Sequence, residues 1–164
     1  MQEQKTVMCP LTLTAPDGDV TINAVYTFIH DSEHSKNVEN PYGEDYILYD
    51  VKEAAVQIEW NRQIFRGSCA DGLHTEKALR NLAENLPQGM TLKSCLTCRH
   101  GNFCTFGAND NEIFCVSDRC PQKKTDLDFI FLSDTREKWL KRRRSLFHVC
   151  SNYQPESAEY WSYK

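Results

Sequence analysis

The chain has 164 residues, of which 40% are hydrophobic, 11% aromatic and 26% charged, and its formal net charge is -4. That length fits one domain, 1–164, with a core that folds without staples, and the composition excludes a disordered or fibrous protein. The acidic balance, with a sequence pI of about 5.7, argues against a chain that coats nucleic acid, because such domains are basic overall.

The opening residues, MQEQKTVMCPLTLTAPDG, lack the apolar run of a signal peptide, and no later stretch approaches the roughly 20 apolar residues of a membrane span. The expectation is a cytoplasmic protein that makes no membrane contact. In a reducing compartment eight cysteines read as metal ligands or redox groups before they read as disulfides.

Two hairpins come first. Val7–Thr14 and Val20–Ile29 alternate apolar and polar residues around the turn residues Pro16-Asp17-Gly18, which predicts a pair of strands. His30 to Asp45 is polar and acidic and reads as a solvated loop, so His30 and His34 are not taken as site residues. Ala54–Trp60, reversing at Asn61-Arg62 into Gln63–Gly67, forms a second hairpin. The period then changes: Leu79, Leu82, Ala83 and Leu86 share one stripe of a helix over Thr75–Leu86, with Thr75 as N-cap and Pro87 to Gly89 as the stop.

Five of the eight cysteines fall within the 26 residues from Cys95 to Cys120. Cys95 and Cys98 have the two-residue spacing that turns both sulfurs of one bend toward a single ion. Cys104 and Cys115 complete a four-thiolate shell, each preceded by an aromatic residue, Phe103 and Phe114. Cys120 and His100 are the alternative ligands. Four thiolates at about 2.3 Å from zinc leave no coordination position for chemistry, so the predicted Zn2+ is structural.

An iron-sulfur cluster is the rival cofactor. The spacing of Cys95, Cys98 and Cys104 resembles in part the cysteine run of the auxiliary-cluster domains attached to radical enzymes, although Ala108 stands where that run has its next cysteine. The resemblance implies a cluster bound by thiolates. A dithiol reading of Cys95-Leu96-Thr97-Cys98 would place the reactive thiolate at a helix start, but Arg99-His100-Gly101-Asn102 does not read as a helix.

Beyond Cys120, Leu127–Leu132 reads as a buried strand. Asp134 and Glu137, at capping-box spacing, open a second helix whose apolar side includes Trp139, Leu140, Leu146, Phe147 and Cys150. Between Arg136 and Arg144 six basic residues face one acidic residue, Glu137. This basic segment reads as a solvated helix face, with nucleic-acid binding as its alternative. The tail carries Tyr153, Tyr160, Trp161 and Tyr163 and is expected to dock onto the body.

These readings predict an α+β fold: a mixed or antiparallel sheet built from hairpins, covered by two helices, with a zinc-knuckle-like insertion at 95–120. No phosphate-binding loop, His-Glu-x-x-His pair or nucleophile elbow is present in the sequence, and the expected function is recognition of another protein, by a binding or inhibitor module, rather than catalysis.

Overall fold

The computed structural model describes residues 1–39, 46–71, 74–107 and 109–164. It is α+β, built on antiparallel sheet. β1 (Gln2–Ala15), β2 (Gly18–Val38), β3 (Tyr46–Trp60), β4 (Gln63–Cys69) and β5 (Thr91–Lys93) form one sheet in the order β4-β3-β2-β1-β5. β6 (Gly101–Asn102), β7 (Glu112–Cys115) and β8 (Arg143–Ser145) form a second, in that order. Helix α1 (His74–Glu84) packs on β3 and β4 of the large sheet. Helices α2 (Lys124–Ser133) and α3 (Arg136–Arg142) follow β7.

The two hairpins form where turn chemistry and alternation coincide. β1 and β2 pair from Gln2↔Asp31 to Ala15↔Gly18, leaving Pro16-Asp17 as a two-residue loop, with Gly18 taking the positive φ of 119° that only glycine adopts without strain. At the second reversal Asn61 and Arg62 both have positive φ, 50° and 64°, which matches the twist of the flanking strands. The strands outrun their apolar repeats. β2 continues through the acidic stretch to Val38, so the loop expected from His30 onward is strand over 30–38, while residues 40–45 lie outside the described residues. His30 is buried against Phe28 and Tyr49 rather than solvated, and its Nδ1 pairs with Ser35 Oγ at 3.1 Å.

One face of the large sheet presents Leu11, Leu13, Tyr26, Phe28, Val56 and Ile58 to the core. Ala78, Leu79 and Leu82 of α1 close over it, as the helical stripe predicts. The fit is close because Gly67 has no side chain: a Cβ there would overlap the Ala78 carbonyl oxygen and lie 2.8 Å from Leu82 Cα. Thr75 is not the N-cap. It lies within α1, fully buried, and the first turn is capped from a distant loop by Asp110, whose carboxylate accepts from Thr75 N at 3.1 Å and from Thr75 Oγ1. Burial pushes the Asp110 carboxyl above its usual range.

Two further expectations are overturned. Leu127–Leu132 is helix α2, with Leu127, Ile130 and Phe131 turned into a second cluster with Phe114 and Val116. The helix after it is short, begins at Arg136 and is capped by Thr135, whose side chain accepts from Lys138 N at 3.3 Å. Leu146, Phe147 and Cys150 lie beyond it, past β8. Phe114 holds the small cluster together, with Phe131 edge-on at 5.3 Å and Trp139 at 4.6 Å between ring centres. The tail docks, as its aromatic content suggests: Tyr163 O accepts from Phe103 N at 2.8 Å, Tyr163 N donates to Asn102 Oδ1 at 2.7 Å, and Tyr163 touches both clusters. No helix among the described residues is long and apolar enough to cross a membrane.

Replacing Gly67 with alanine should cost about 1–3 kcal/mol, since the contact is with helix backbone that cannot rotate away. Urea denaturation should show a lower midpoint with an unchanged slope, and an unaltered midpoint would refute the close approach of α1 to β4.

Candidate metal centre

The cysteine pair at 95–98 sits in a self-bonded bend between the two sheets. Thr97 N donates to Ser94 O at 3.1 Å, Cys98 N to Cys95 O at 3.4 Å and Gly101 N to Cys98 O at 2.9 Å. Thr97 Oγ1 accepts from Ser94 N at 3.1 Å and donates to Leu92 O at 2.9 Å, which joins the bend to β5. Gly101 closes it: a Cβ there would overlap the Cys95 carbonyl oxygen and lie 2.9 Å from Ile113 Cδ1. Both cysteines are buried.

Pairing within the small sheet brings a third cysteine to the same corner. Gly101 lies opposite Cys115, and Val116 N donates to His100 O at 2.9 Å, so Cys115 is carried across from the end of the bend. A third segment, 148–156, then wraps the bend from its other side. Cys95 N donates to His148 O at 2.6 Å, Arg99 N to Gln154 O at 2.8 Å and Glu156 N to Thr97 O at 3.2 Å, while Cys98 forms an isolated bridge with Pro155. Cys150 lies in that wrapping segment.

The thiol electrostatics follow this arrangement. Burial pushes the Cys95 thiol up to about 12, with the nearby sulfurs of Cys98, Cys115 and Cys150 adding to the rise and Arg144 opposing it. Cys104 is turned elsewhere. It packs against the second cluster, and its thiol is raised by burial in the neighbourhood of the Glu112 and Asp128 carboxylates. His100 is lowered by burial and by Arg99, beside which its ring lies. Cys120 is exposed.

Of the four predicted ligands, Cys95 and Cys98 lie in the bend, Cys115 ends the strand paired with Gly101, and Cys104 packs against the second cluster. Cys150, expected on the apolar side of a helix, lies in the 148–156 segment that borders the bend. Its sequence context, Cys150-Ser151-Asn152-Tyr153-Gln154-Pro155, holds turn residues but no second cysteine at ligand spacing, so no motif marks it. The sulfurs are not at bonding separation: the one trio of His, Cys or carboxylate residues among the described residues with ligand atoms within 4.8 Å of one another is Asp31, His34 and Asp50.

That trio is partly exposed and already ion-paired. His34 Nδ1 lies 3.0 Å from Asp31, which also meets the amino terminus at 3.3 Å, and Asp50 holds Lys52 at 2.8 Å. The His34 contact, the Glu33 amide and the amino terminus together bring the Asp31 carboxyl down to about 2. Asp50 and His34 also line a cleft of about 480 Å³ that reaches His74 and Asp110.

The basic run is not a uniformly solvated face. Arg142 is buried and bonds two carboxylates, Asp134 and Asp118, the first of which has a side chain only 3% exposed. Arg143 reaches the fully buried Glu112 at 2.7 Å. Arg143 fastens β8 to β7, the strand that carries Cys115, and Arg142 also donates to Cys115 O at 3.3 Å.

Arg142→Ala strands the Asp134 carboxylate inside the small lobe and should cost about 3–5 kcal/mol, whereas Asp118→Ala, at a side chain more than half exposed, should cost less than about 1 kcal/mol. Equal losses in chemical denaturation would refute the buried pair as the dominant contact. Comparison of the chain with protein-family models, with curated proteins and with solved structures gives no match.

Proposed function

We propose that this chain is a protein-recognition module whose C-terminal half is pinned by a structural zinc held by thiolates, with Cys95, Cys98 and Cys115 among its ligands. The observation that carries the reading is the meeting of the 95–98 bend with Cys115 at one corner, joined by the Gly101↔Cys115 pairing and by the Val116 N to His100 O bond. Thiolate donors select soft or borderline cations, and a closed four-sulfur shell serves architecture rather than turnover. Such a site suits a reducing, cytoplasmic setting, where the thiols stay available to the metal.

Recognition is supported by α2. Its inner side packs through Leu127, Ile130 and Phe131, while Phe129 and Leu132, one turn apart on the other side, are 71% and 74% exposed. Two large apolar residues displayed together on a helix match the core of a helix-mediated protein interface better than a solvated surface. Arg142 and Arg143 are engaged with carboxylates, which weighs against the basic run as a phosphate-binding face.

Freshly purified protein should contain one equivalent of zinc and show no visible absorbance, whereas an iron-sulfur cluster would colour it brown. Cys98→Ser should release the metal and lower the melting temperature, since zinc binding in small metal-dependent folds contributes on the order of 10 kcal/mol. Unchanged metal content in that variant would overturn the assignment. For recognition, a photocrosslinker at position 129 should give a discrete protein adduct in cells that Leu132→Asp abolishes, and crosslinking that yields no adduct would sink that half of the reading.

A further inference from the structure

The bend at 95–98 has two independent neighbours bearing cysteine. One is β7, through Cys115. The other is the 148–156 segment, bonded to the bend on both sides of Cys150: His148 O accepts from Cys95 N at 2.6 Å before it, and Gln154 O accepts from Arg99 N at 2.8 Å after it. Tyr153 N bonds back to Cys150 O at 3.1 Å, and Tyr153 Oη lies 3.2 Å from Thr97 Oγ1, which folds the residues after Cys150 over the bend. Cys150 is thus confined between two backbone attachments to the cysteine pair.

We infer that Cys150, and not Cys104, is the fourth ligand, so that a single zinc ion held by Cys95, Cys98, Cys115 and Cys150 ties the 148–156 segment to the bend and to β7. The inference rests on the thiolate-zinc reading above and names its ligand set. Four thiolates around Zn2+ carry a net charge of about -2, and two cations stand at the same corner. Lys164, its side chain 3% exposed, donates to Cys98 O at 2.6 Å and is also paired with Glu156 at 2.5 Å. Arg144 lies in β8 opposite Ile113 of β7, two residues before Cys115. Cations close to the sulfurs are what an anionic metal centre needs around it.

Cys104 has the opposite surroundings. Its side chain packs against the apolar residues of the second cluster, surroundings that disfavour a thiolate. Cys150 is exposed and Cys115 half-buried, so both side chains have room to change rotamer toward the buried pair Cys95 and Cys98. Binding converts four thiols to thiolates, and their protons pass to solvent.

Alkylation of the intact zinc-loaded protein distinguishes the ligand sets without any substitution. Cys150 and Cys120 are both exposed, so without a metal bond iodoacetamide should modify them at similar rates. With zinc bound, peptide mass spectrometry should find Cys150 protected together with Cys95, Cys98 and Cys115, and Cys120 modified. EDTA should raise the Cys150 rate at least tenfold. Cys150→Ser should lose the metal to EDTA as Cys98→Ser does, whereas Cys104→Ser should retain one equivalent. One equivalent of zinc with Cys150 alkylated as fast as Cys120 would overturn this ligand set and leave the structural-zinc reading standing. Protein that binds no zinc from a zinc-buffered solution would overturn both.

Discussion

The lower half of the molecule depends on a backbone seam. Residues 148–156 lie against the 95–99 bend through bonds from Cys95, Arg99 and Glu156 amides. These are main-chain groups in a partly buried place, and leaving them unpaired would cost more than pairing them gains. The seam brings together segments about fifty residues apart in the chain. Everything between them, β6, β7, α2, α3 and β8, is closed into one loop whose ends meet at the cysteines. Cross-links that close long loops limit the freedom of the unfolded chain most, and a metal clip at this seam would act in that way.

Charge within that loop is arranged to fasten rather than to display. Glu112 is fully buried and meets Arg143, while Arg142 spans Asp134 and Asp118. A buried ion pair adds little net stability compared with an apolar replacement, but a lone member of such a pair is costly. The result is specificity of assembly: β8 can pair with β7 only in a register that brings each arginine to its carboxylate, and that register also sets where the chain leaves toward Cys150. The upper half uses different means. There a five-stranded sheet supplies the surface, and a glycine in β4 lets α1 lie close against β3 and β4.

The alternating segments of β1 to β4 and the stripe of α1 were legible because each has one buried face and a single period, which the chain expresses residue by residue. The acidic end of β2 was not, because its hydrogen bonds come from pairing with β3 and not from its own side chains. Leu127–Leu132 misled for another reason. A run of apolar residues in a short helix, with Phe129 and Leu132 left outside the core, carries no period that separates helix from strand. The N-cap of α1 lay equally out of reach, since Asp110 arrives from thirty-five residues away.

What the sequence determined alone was local: strands, hairpin turns, one amphipathic helix, and a cysteine pair whose two-residue spacing needs no partner to be recognised. Cys115 was added to that pair for the aromatic residue before it, Phe114. Which segments border that pair was decided only by tertiary structure. Cys104 is near in sequence but lies past the end of β6 and packs against the second cluster, whereas the segment that holds Cys150 is far in sequence but is brought to the bend by β8 and the seam. Spacing along a chain limits which residues can meet only across a single turn. Beyond that, the pairing of strands and the satisfaction of buried backbone groups decide.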